Sequence, residues 1–289
     1  MNVVAVTGAT GFLGQALIRS LAAQGEQIVA LARPTSNREP LADLPIRWVE
    51  GDVRDRTSLD SLMDGADWLV HAAGMLGQAG VAEETYRELH VTGTRHVMEA
   101  AGQCERVLHI SSPGVLGPID GPAADEGAAR APSNAYERSK AESEKIVLDY
   151  AAKGLPVIIS RPEFVYGPGD LHVLGLFQAV QKGRFFYVSG GRHVCHPTFI
   201  GDAVDGMARC LRSGEPGEIY HIAGPRPVTF RELAECIADE LAVARPRLSI
   251  PRPAAWLGAV ALETAGAVAG KPAPLSRSGV AFFSEDRRF

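Results

Sequence analysis

The first fourteen residues constrain the fold of this 289-residue chain more than any other stretch. Residues 3–6 form a short apolar run with the length and β-branching of a buried parallel strand. Gly8, Gly11 and Gly14 follow, and a segment of helical periodicity comes next. This order predicts a pyrophosphate-binding turn: Gly8 permits the turn, Gly11 allows close backbone approach, and Gly14 lets the helix pack near the strand. The helix N-terminus offers free N–H groups to the phosphates.

The spacing of these glycines is G-x-x-G-x-x-G, not the commoner G-x-G-x-x-G. A glycine triplet alone says little here, because 31 of the 289 residues are glycine. Its position between a strand and a helix is what indicates a dinucleotide site. The alternative is a structural turn that binds no ligand.

Composition excludes some classes of function. Hydrophobic residues are 46% and charged residues 22%, as in an ordinary globular enzyme, and the net charge of -5 gives no reason to expect nucleic acid as a partner. The four cysteines are scattered without metal-type spacing, which fits a reducing compartment. Because the chain begins directly with the first strand, we expect no signal peptide and a cytoplasmic protein.

Residues 254–270 are apolar and rich in alanine and glycine, so they need comparison with a membrane span. Glu263 and Thr264 interrupt the stretch, and it falls short of the ~20 residues that a span requires. The pattern predicts a helix lying on the protein, and no transmembrane segment is expected.

Strands and helices alternate along the first half of the chain. Apolar runs predict further strands at 27–32, 47–50, 68–71 and 106–110, and helical spacing covers 83–101. Such alternation predicts a parallel sheet with right-handed crossovers, hence an α/β doubly wound Rossmann domain.

The end of the second strand indicates which dinucleotide binds. Enzymes that prefer NAD usually place a carboxylate there, whereas this chain has Ala32 and then Arg33. A guanidinium binds a 2′-phosphate bidentately, so the sequence favours NADP, with NAD possible. The alternative is that Arg33 is an ordinary surface arginine, and Arg38 is a weaker second candidate.

Two later strand ends also face the predicted cofactor. Asp52 follows the third strand, where it can accept a hydrogen bond from adenine or cap the helix that begins near Thr57. Ala72, Ala73 and Gly74 follow the fourth strand, and such small residues leave room for a cofactor.

A group of polar residues predicts the chemistry. Tyr136 and Lys140 are four residues apart and therefore share one helix face, and Ser112 follows the fifth strand. A nearby ammonium lowers the pKa of a phenol toward a value useful for acid–base catalysis. The lysine can also hold the nicotinamide ribose, and a serine hydroxyl can orient a substrate oxygen. Hydride then passes between a carbinol carbon and the cofactor.

The chain resembles the extended short-chain dehydrogenase/reductases, the NAD-dependent epimerase/dehydratase family. The matching segments are 7–14, 52–53, 71–74, 111–112, 136 with 140, 161–162, 166–169 and 197–204. The resemblance implies catalysis by Ser112, Tyr136 and Lys140, and a homodimer through the helix carrying Tyr136. It implies cofactor contacts from Gly8, Thr10, Gly11, Phe12, Leu13, Gly14, Arg33, Asp52, Val53, Ala72, Ala73, Gly74, Tyr136, Lys140 and Pro162.

Two positions depart from the family pattern. His90 stands where the family usually has an asparagine that supports the lysine, so it either takes over that support or is a hydrogen-bonded core histidine. Phe164 stands where nucleotide-sugar epimerases typically have asparagine. Phenylalanine cannot donate a hydrogen bond to a diphosphate, and members similar to 3β-hydroxysteroid dehydrogenase place apolar residues there. This favours an apolar small-molecule substrate, although core packing would also explain Phe164.

The expected organisation is a dinucleotide-binding domain over 1–165, to which 194–223 returns, and a substrate lobe over 166–193 and 224–289. In that lobe, a capping box at residues 229–232 predicts a helix to about residue 243, with Leu233, Ile237 and Leu241 facing the core.

The sequence thus predicts an NAD(P)-dependent oxidoreductase that interconverts a secondary alcohol and a ketone. A nucleotide-sugar epimerase or dehydratase of the same family is the first alternative, and a non-catalytic NAD(P)-sensing protein is the second.

Overall fold

A seven-stranded parallel sheet lies at the centre of the computed structural model, which describes residues 1–78, 80–269, 273 and 275–289. Its strands are β1 (Val3–Thr7), β2 (Gln27–Ala32), β3 (Ile46–Glu50), β4 (Trp68–His71), β5 (Arg106–Ile110), β6 (Val157–Pro162) and β11 (Ile219–Ile222). They lie in the order β11-β6-β5-β4-β1-β2-β3. The order runs outward in both directions from β1 and β4, so the crevice for a ligand lies at the carboxyl ends of these two strands.

Helices cover both faces of this sheet. They are α1 (Phe12–Ala23), α2 (Asp60–Met63), α3 (Glu83–Tyr86), α4 (Gly93–Ala100), α5 (Ala135–Ala151), α6 (Leu174–Gln181), α7 (Ile200–Ser213), α8 (Phe230–Glu240), α9 (Arg252–Ala269) and α10 (Arg277–Phe282). Apolar side chains of α1 and α7 pack against one face, and those of α2, α4 and α5 against the other. Burial on two faces explains why the strands read as continuous apolar runs.

The predicted Rossmann fold is confirmed, and the predicted strands occur at their expected places. β1 extends one residue past the predicted run, β3 begins one residue earlier than predicted, and β2, β4 and β5 have the predicted bounds. The helix predicted over 83–101 is present as α3 and α4, but a π-helical turn, Arg87–Thr92, joins them. π-helical turns are rare and occur often at functional sites.

Three pairs of short strands lie outside the central sheet. β7 (Val165–Tyr166) pairs with β10 (Thr198–Phe199), β9 (Val194–Cys195) with β12 (Val228–Thr229), and β8 (Tyr187–Val188) with β13 (Ser249–Ile250). Two small apolar clusters hold α6 and α8 together and pack α9 and α10 against β8 and β13.

The capping box that opens α8 is present, with Thr229 and Glu232 each bonded to the other's backbone N–H. The prediction that Leu241 faces the core was wrong, because α8 ends at Glu240 and Leu241 is 37% exposed. α9 lies on the protein through its buried Ala255 and Ala259, as the sequence predicted. Among the described helices, none combines the length and the apolar character that crossing a membrane requires.

Candidate active site

The glycine turn has the geometry of a phosphate cradle. Gly8 adopts a φ of +72°, and the Gly11 N–H donates to the Gly8 carbonyl at 3.0 Å. A Cβ on Gly14 would lie 2.1 Å from the Gly8 oxygen, so only glycine fits where α1 meets β1. Among the described residues no side chain caps the start of α1, which leaves its first N–H groups, from Phe12 onward, for a ligand.

The end of β4 closes against the same turn. A Cβ on Gly8 would lie 2.5 Å from the Ala72 carbonyl carbon, so the two backbones touch. The Thr7 hydroxyl accepts a hydrogen bond from the Ala73 N–H at 3.3 Å and contacts His71 Nδ1 at 2.7 Å. The structure therefore brings the predicted cofactor residues of the first and fourth strand ends into one small-residue cradle that fits a pyrophosphate.

The residues predicted to select the cofactor lie at the ends of the next two strands. Arg33 follows β2 and is exposed. Asp52 follows β3 and forms a bidentate pair with Arg54 at 2.8 and 3.0 Å; the Arg54 partnership lowers the pKa of Asp52, and Arg33 adds to that effect. The alternative that Asp52 caps the next helix was wrong, because Asp55 accepts the Thr57 N–H instead. The adenine role of Asp52 stays a prediction.

Val53 and Pro162 complete the predicted cofactor set. Val53 is buried against Gly93, where a Cβ would lie 2.8 Å from the Val53 side chain. Pro162 ends β6 and is buried. Both residues lie near the carboxyl ends of strands, the edge of the sheet where a dinucleotide is expected. Their contacts with the cofactor stay predictions.

Tyr136 lies in the first turn of α5, and its ring is half-buried beside Ser112. Burial raises the pKa of Tyr136 to about 12, whereas the nearby Ser112 hydroxyl and the charge of Arg287 lower it. The Ser112 oxygen accepts the Gly114 N–H at 3.1 Å, which fixes this serine at the start of a short 3₁₀ turn and leaves its own proton to donate.

Lys140 shares the helix face of Tyr136, and its ammonium is hydrogen-bonded to the end of β5. Its Nζ donates to the Ile110 carbonyl at the end of β5 at 2.6 Å. Burial lowers the pKa of Lys140 to about 8, and Glu144 opposes that effect. Ser112 and Arg287 lower the pKa of Tyr136, and the role of Lys140 in lowering it stays a prediction.

His90, at the position where the family usually has asparagine, is buried in the π-helical turn. Its Nε2 accepts the Met75 N–H at 3.1 Å, and its Nδ1 lies 2.8 Å from the Ser139 hydroxyl oxygen. Its ring meets that of Tyr136 edge-on, with centroids 5.7 Å apart. His90 is thus a hydrogen-bonded core residue that contacts the catalytic helix through Ser139, and its support of Lys140 stays a prediction.

Comparison with known proteins decides the family. A model described as NAD dependent epimerase/dehydratase family matches residues 4–223, three quarters of the chain. The chain belongs to this family. The extended short-chain dehydrogenase/reductase predicted from the motifs is thereby confirmed, and so is an enzyme that uses a nicotinamide dinucleotide.

Relatives in this family act on different small molecules. The chain is 29% identical over 263 residues to a 4-hydroxy-2-methyl-3-oxo-4-farnesyl-3,4-dihydroquinoline-1-oxide ketoreductase of Stigmatella aurantiaca, covering 88% of this chain and 78% of that one. It is 31% identical to sterol demethylase protein B of Methylococcus capsulatus, covering 85% and 76%. A crystal structure of the dTDP-glucose 4,6-dehydratase DesIV of Streptomyces venezuelae with NAD bound is 30% identical, with a TM-score of 0.77 and coverage of 87% and 84%.

Glu144 is a buried residue of the site that the sequence analysis did not find. It lies one helical turn beyond Lys140 and is fully buried. The Arg161 guanidinium binds its two oxygens at 2.7 and 2.8 Å, and Arg130 adds a bond at 2.8 Å. The signal was available, because Tyr136, Lys140 and Glu144 repeat at four-residue spacing on one helix face.

Two further buried residues near Tyr136 escaped the sequence analysis. Glu163 is 5% exposed, and burial raises the pKa of its carboxyl to about 7. Arg287 is 8% exposed, and its Nη2 lies 2.8 Å from Glu137 Oε1. The position of Glu163 directly after the Arg-Pro pair of the family pattern gives a weak indication that it belongs to the site. Arg287 lies in a distant part of the chain, and no sequence pattern indicates it.

Proposed function

We propose that this protein reduces the ketone of an apolar substrate to a secondary alcohol, or catalyses the reverse oxidation, with NADP preferred over NAD. The observation that supports this most directly is that Tyr136 and buried Lys140 share one face of α5, at the edge of the sheet where Ser112 follows β5. These residues lie at the carboxyl edge of the same sheet that carries the glycine turn.

The residues divide the work by their hydrogen bonds. When bound, the nicotinamide ring supplies or accepts the hydride. Tyr136 holds the proton that the substrate oxygen gains on reduction, and a pKa near 12 keeps it protonated at neutral pH. Ser112 is fixed by the Gly114 N–H, so its remaining proton can donate to the substrate oxygen.

Lys140 has a second task in this proposal. Its ammonium, anchored on the Ile110 carbonyl, is placed to bind the nicotinamide ribose and to compensate negative charge on Tyr136 when the proton leaves. Because burial has already lowered the pKa of Lys140 to about 8, the residue keeps most of its charge at neutral pH and loses it in mildly alkaline solution.

The apolar substrate class is supported by Phe164. Its ring packs 5.3 Å from that of Phe282 and borders an aromatic cluster with Phe230 and Phe283. Two relatives carry a farnesyl group or a sterol in their names. We propose that 166–193 and 224–289 form the lobe that binds this substrate, in the manner of a 3β-hydroxysteroid dehydrogenase, and that the enzyme is a homodimer.

Tyr136→Phe tests the proposal. Removing the phenolic oxygen should lower kcat for reduction of an apolar ketone by roughly 10²- to 10⁴-fold while leaving NADP affinity within about twofold. Tyr150→Phe, on the same helix α5 but beyond the catalytic turn, is the matched control and should keep wild-type turnover. Full turnover by the Tyr136 variant would refute the mechanism.

A sugar-nucleotide activity is the second candidate, because the DesIV dehydratase is 30% identical to the chain. Thermal unfolding with NADP, NAD, dTDP-glucose, UDP-glucose and a panel of steroids separates the candidates, since a ligand that binds the native state raises its Tm. A shift with a sugar nucleotide followed by its turnover would support the second candidate. Cofactor binding without turnover of any ketone or sugar nucleotide would indicate a sensing protein.

A further inference from the structure

The 284–289 segment runs across the protein and is held on two sides. The Ile119 N–H donates to the Asp286 carbonyl at 2.8 Å, and the Ala124 N–H donates to the Arg288 carbonyl at 2.9 Å. On its other side, the Arg287 N–H donates to the Val194 carbonyl at 3.0 Å. These bonds fix the backbone of Arg287 between the loop that follows Ser112 and strand β9.

The side chain of Arg287 joins this segment to the catalytic helix. Its Nη2 binds Glu137 Oε1 at 2.8 Å, and both side chains are more than nine-tenths buried. The other oxygen of Glu137 accepts the N–H and the hydroxyl of Ser133 at 2.7 and 2.8 Å. Glu137 therefore ties the entry of α5 to Arg287, and it is the immediate neighbour of Tyr136 in the chain.

Arg287 retains an unused donor. Its Nε is buried and has no hydrogen-bond partner in the described part of the chain. Leaving this buried N–H without a partner costs free energy of unfolding.

The charges around Tyr136 come from three elements. Glu137 belongs to α5, Glu163 follows β6, and Arg287 belongs to the 284–289 segment. The two carboxylates raise the pKa of Tyr136 and Arg287 lowers it. Lys140 lies one turn along α5, and two neutral rings face Tyr136 from the segment 83–92, those of Tyr86 and His90. Arg287 is thus the cation set against two acidic groups at this phenol.

We infer that Arg287 is a positioning residue of the active site, which holds the first turn of α5 through Glu137 and balances the charge beside Tyr136. This inference rests on the proposed role of Tyr136 as the proton donor. It assigns to a residue 151 positions from Tyr136 a function that no motif near Ser112, Tyr136 or Lys140 indicates.

The experiment compares Arg287→Met with Arg287→Lys. Without Arg287, Glu137 loses its link to the 284–289 segment and the cation beside Tyr136 is gone, so kcat for ketone reduction at neutral pH should fall at least about tenfold. NADP affinity should stay within about twofold of wild type, because the glycine cradle is untouched. Arg287→Lys keeps the charge and should recover most of the loss in kcat. Arg288→Met is the matched control, since its side chain is partly exposed on Asp286.

A variant of Glu137, the hydrogen-bond partner of Arg287, provides a second test if Arg287→Met does not fold. Glu137→Gln keeps a hydrogen-bond acceptor for Arg287 and removes one of the two carboxylates that Arg287 balances, so its kcat at neutral pH should stay closer to wild type than that of Arg287→Met. This order of kcat values supports the inference. Wild-type kcat in every folded Arg287 variant overturns it.

Amide hydrogen exchange supplies a measurement that needs no substrate. The N–H groups of residues 133–138 should exchange at least tenfold faster in Arg287→Met than in wild type and remain protected in Arg288→Met. Faster exchange in a protein that reduces no ketone would support the positioning role while refuting the proposed function. Unchanged exchange together with wild-type kcat would refute the positioning role alone.

Discussion

His90 Nδ1 lies 2.8 Å from the hydroxyl oxygen of Ser139, and that hydroxyl donates to the carbonyl of Tyr136 at 2.7 Å. Because the Met75 N–H donates to His90 Nε2, the proton of a neutral ring belongs on Nδ1, from which it is donated to Ser139. Burial and the charge of Lys140 lower the pKa of His90 to about 3, so the ring stays neutral at physiological pH. His90 therefore connects the loop after β4 with the catalytic turn of α5.

His90→Ala should break this connection. It removes two buried hydrogen bonds and leaves a cavity, so the free energy of unfolding should fall by about 3 kcal/mol. The Met75 amide should exchange faster, and kcat should fall about tenfold. Denaturant unfolding, hydrogen exchange and steady-state kinetics measure these effects. His172→Ala, at an exposed position, should change none of them. Wild-type kinetics in a folded His90→Ala protein would show that the connection has no role in turnover.

Gly14→Ala should abolish cofactor binding. The added Cβ would lie 2.1 Å from the Gly8 oxygen, so α1 must move away from β1 and the cradle must open. Gly258→Ala is the control, because a Cβ added at that helical glycine would meet no described atom beyond its own helix backbone within 4 Å, and alanine favours helix by up to about 1 kcal/mol. Titration of each variant with NADP gives the comparison. Wild-type affinity in Gly14→Ala would place the cofactor elsewhere.

Arg33→Ala should change the preference between cofactors. Loss of charge-assisted hydrogen bonds to a 2′-phosphate should weaken NADP binding roughly 10- to 100-fold and leave NAD binding unchanged. Arg38→Ala should have a smaller effect, because the Arg38 guanidinium lies over the ring of Trp48, 5.2 Å from its centroid. Calorimetric titration with both dinucleotides distinguishes the two arginines. Equal losses for NAD and NADP would contradict the predicted preference.

Glu163 should make stability depend on pH. Burial raises its pKa to about 7, so between its ordinary value near 4.5 and 7 the native state binds more protons than the unfolded state. Stability then falls as pH rises through this window. Glu163→Gln has no carboxyl group to titrate at this position. Between pH 4 and pH 8 the free energy of unfolding of wild type should therefore fall relative to that of Glu163→Gln by up to about 3 kcal/mol. Urea unfolding at each pH measures this difference, and parallel curves would contradict it.

Local patterns were enough to predict the elements that build the cofactor edge. β1, β2, β4 and β5 are apolar runs bounded by polar or glycine residues, so their places follow from burial on two faces. Tyr136 and Lys140 share a helix face because a four-residue spacing gives nearly one turn. The π-helical turn around His90 could not be predicted, because apolar spacing does not distinguish one widened turn from a regular helix.

The parts of the site that escaped the sequence depend on long-range topology. Lys140 reaches the Ile110 carbonyl only because β5 ends beside α5. Arg287 meets Glu137 only because the 284–289 segment returns past Val194. No local sequence pattern predicts either contact, because the fold and not the spacing in the chain brings the two residues of each contact together.

The position of β11 in the sheet limits how the protein can be divided. β11 pairs with β6 on the flank farthest from β3, yet it is encoded after α7. A recombinant piece ending before Ile219 would leave the backbone groups of Val157–Pro162 without a neighbour along one side, and an unpaired buried strand invites association with other molecules. Expression of residues 1–218 should therefore give aggregates, whereas a piece that also contains β11 should aggregate less.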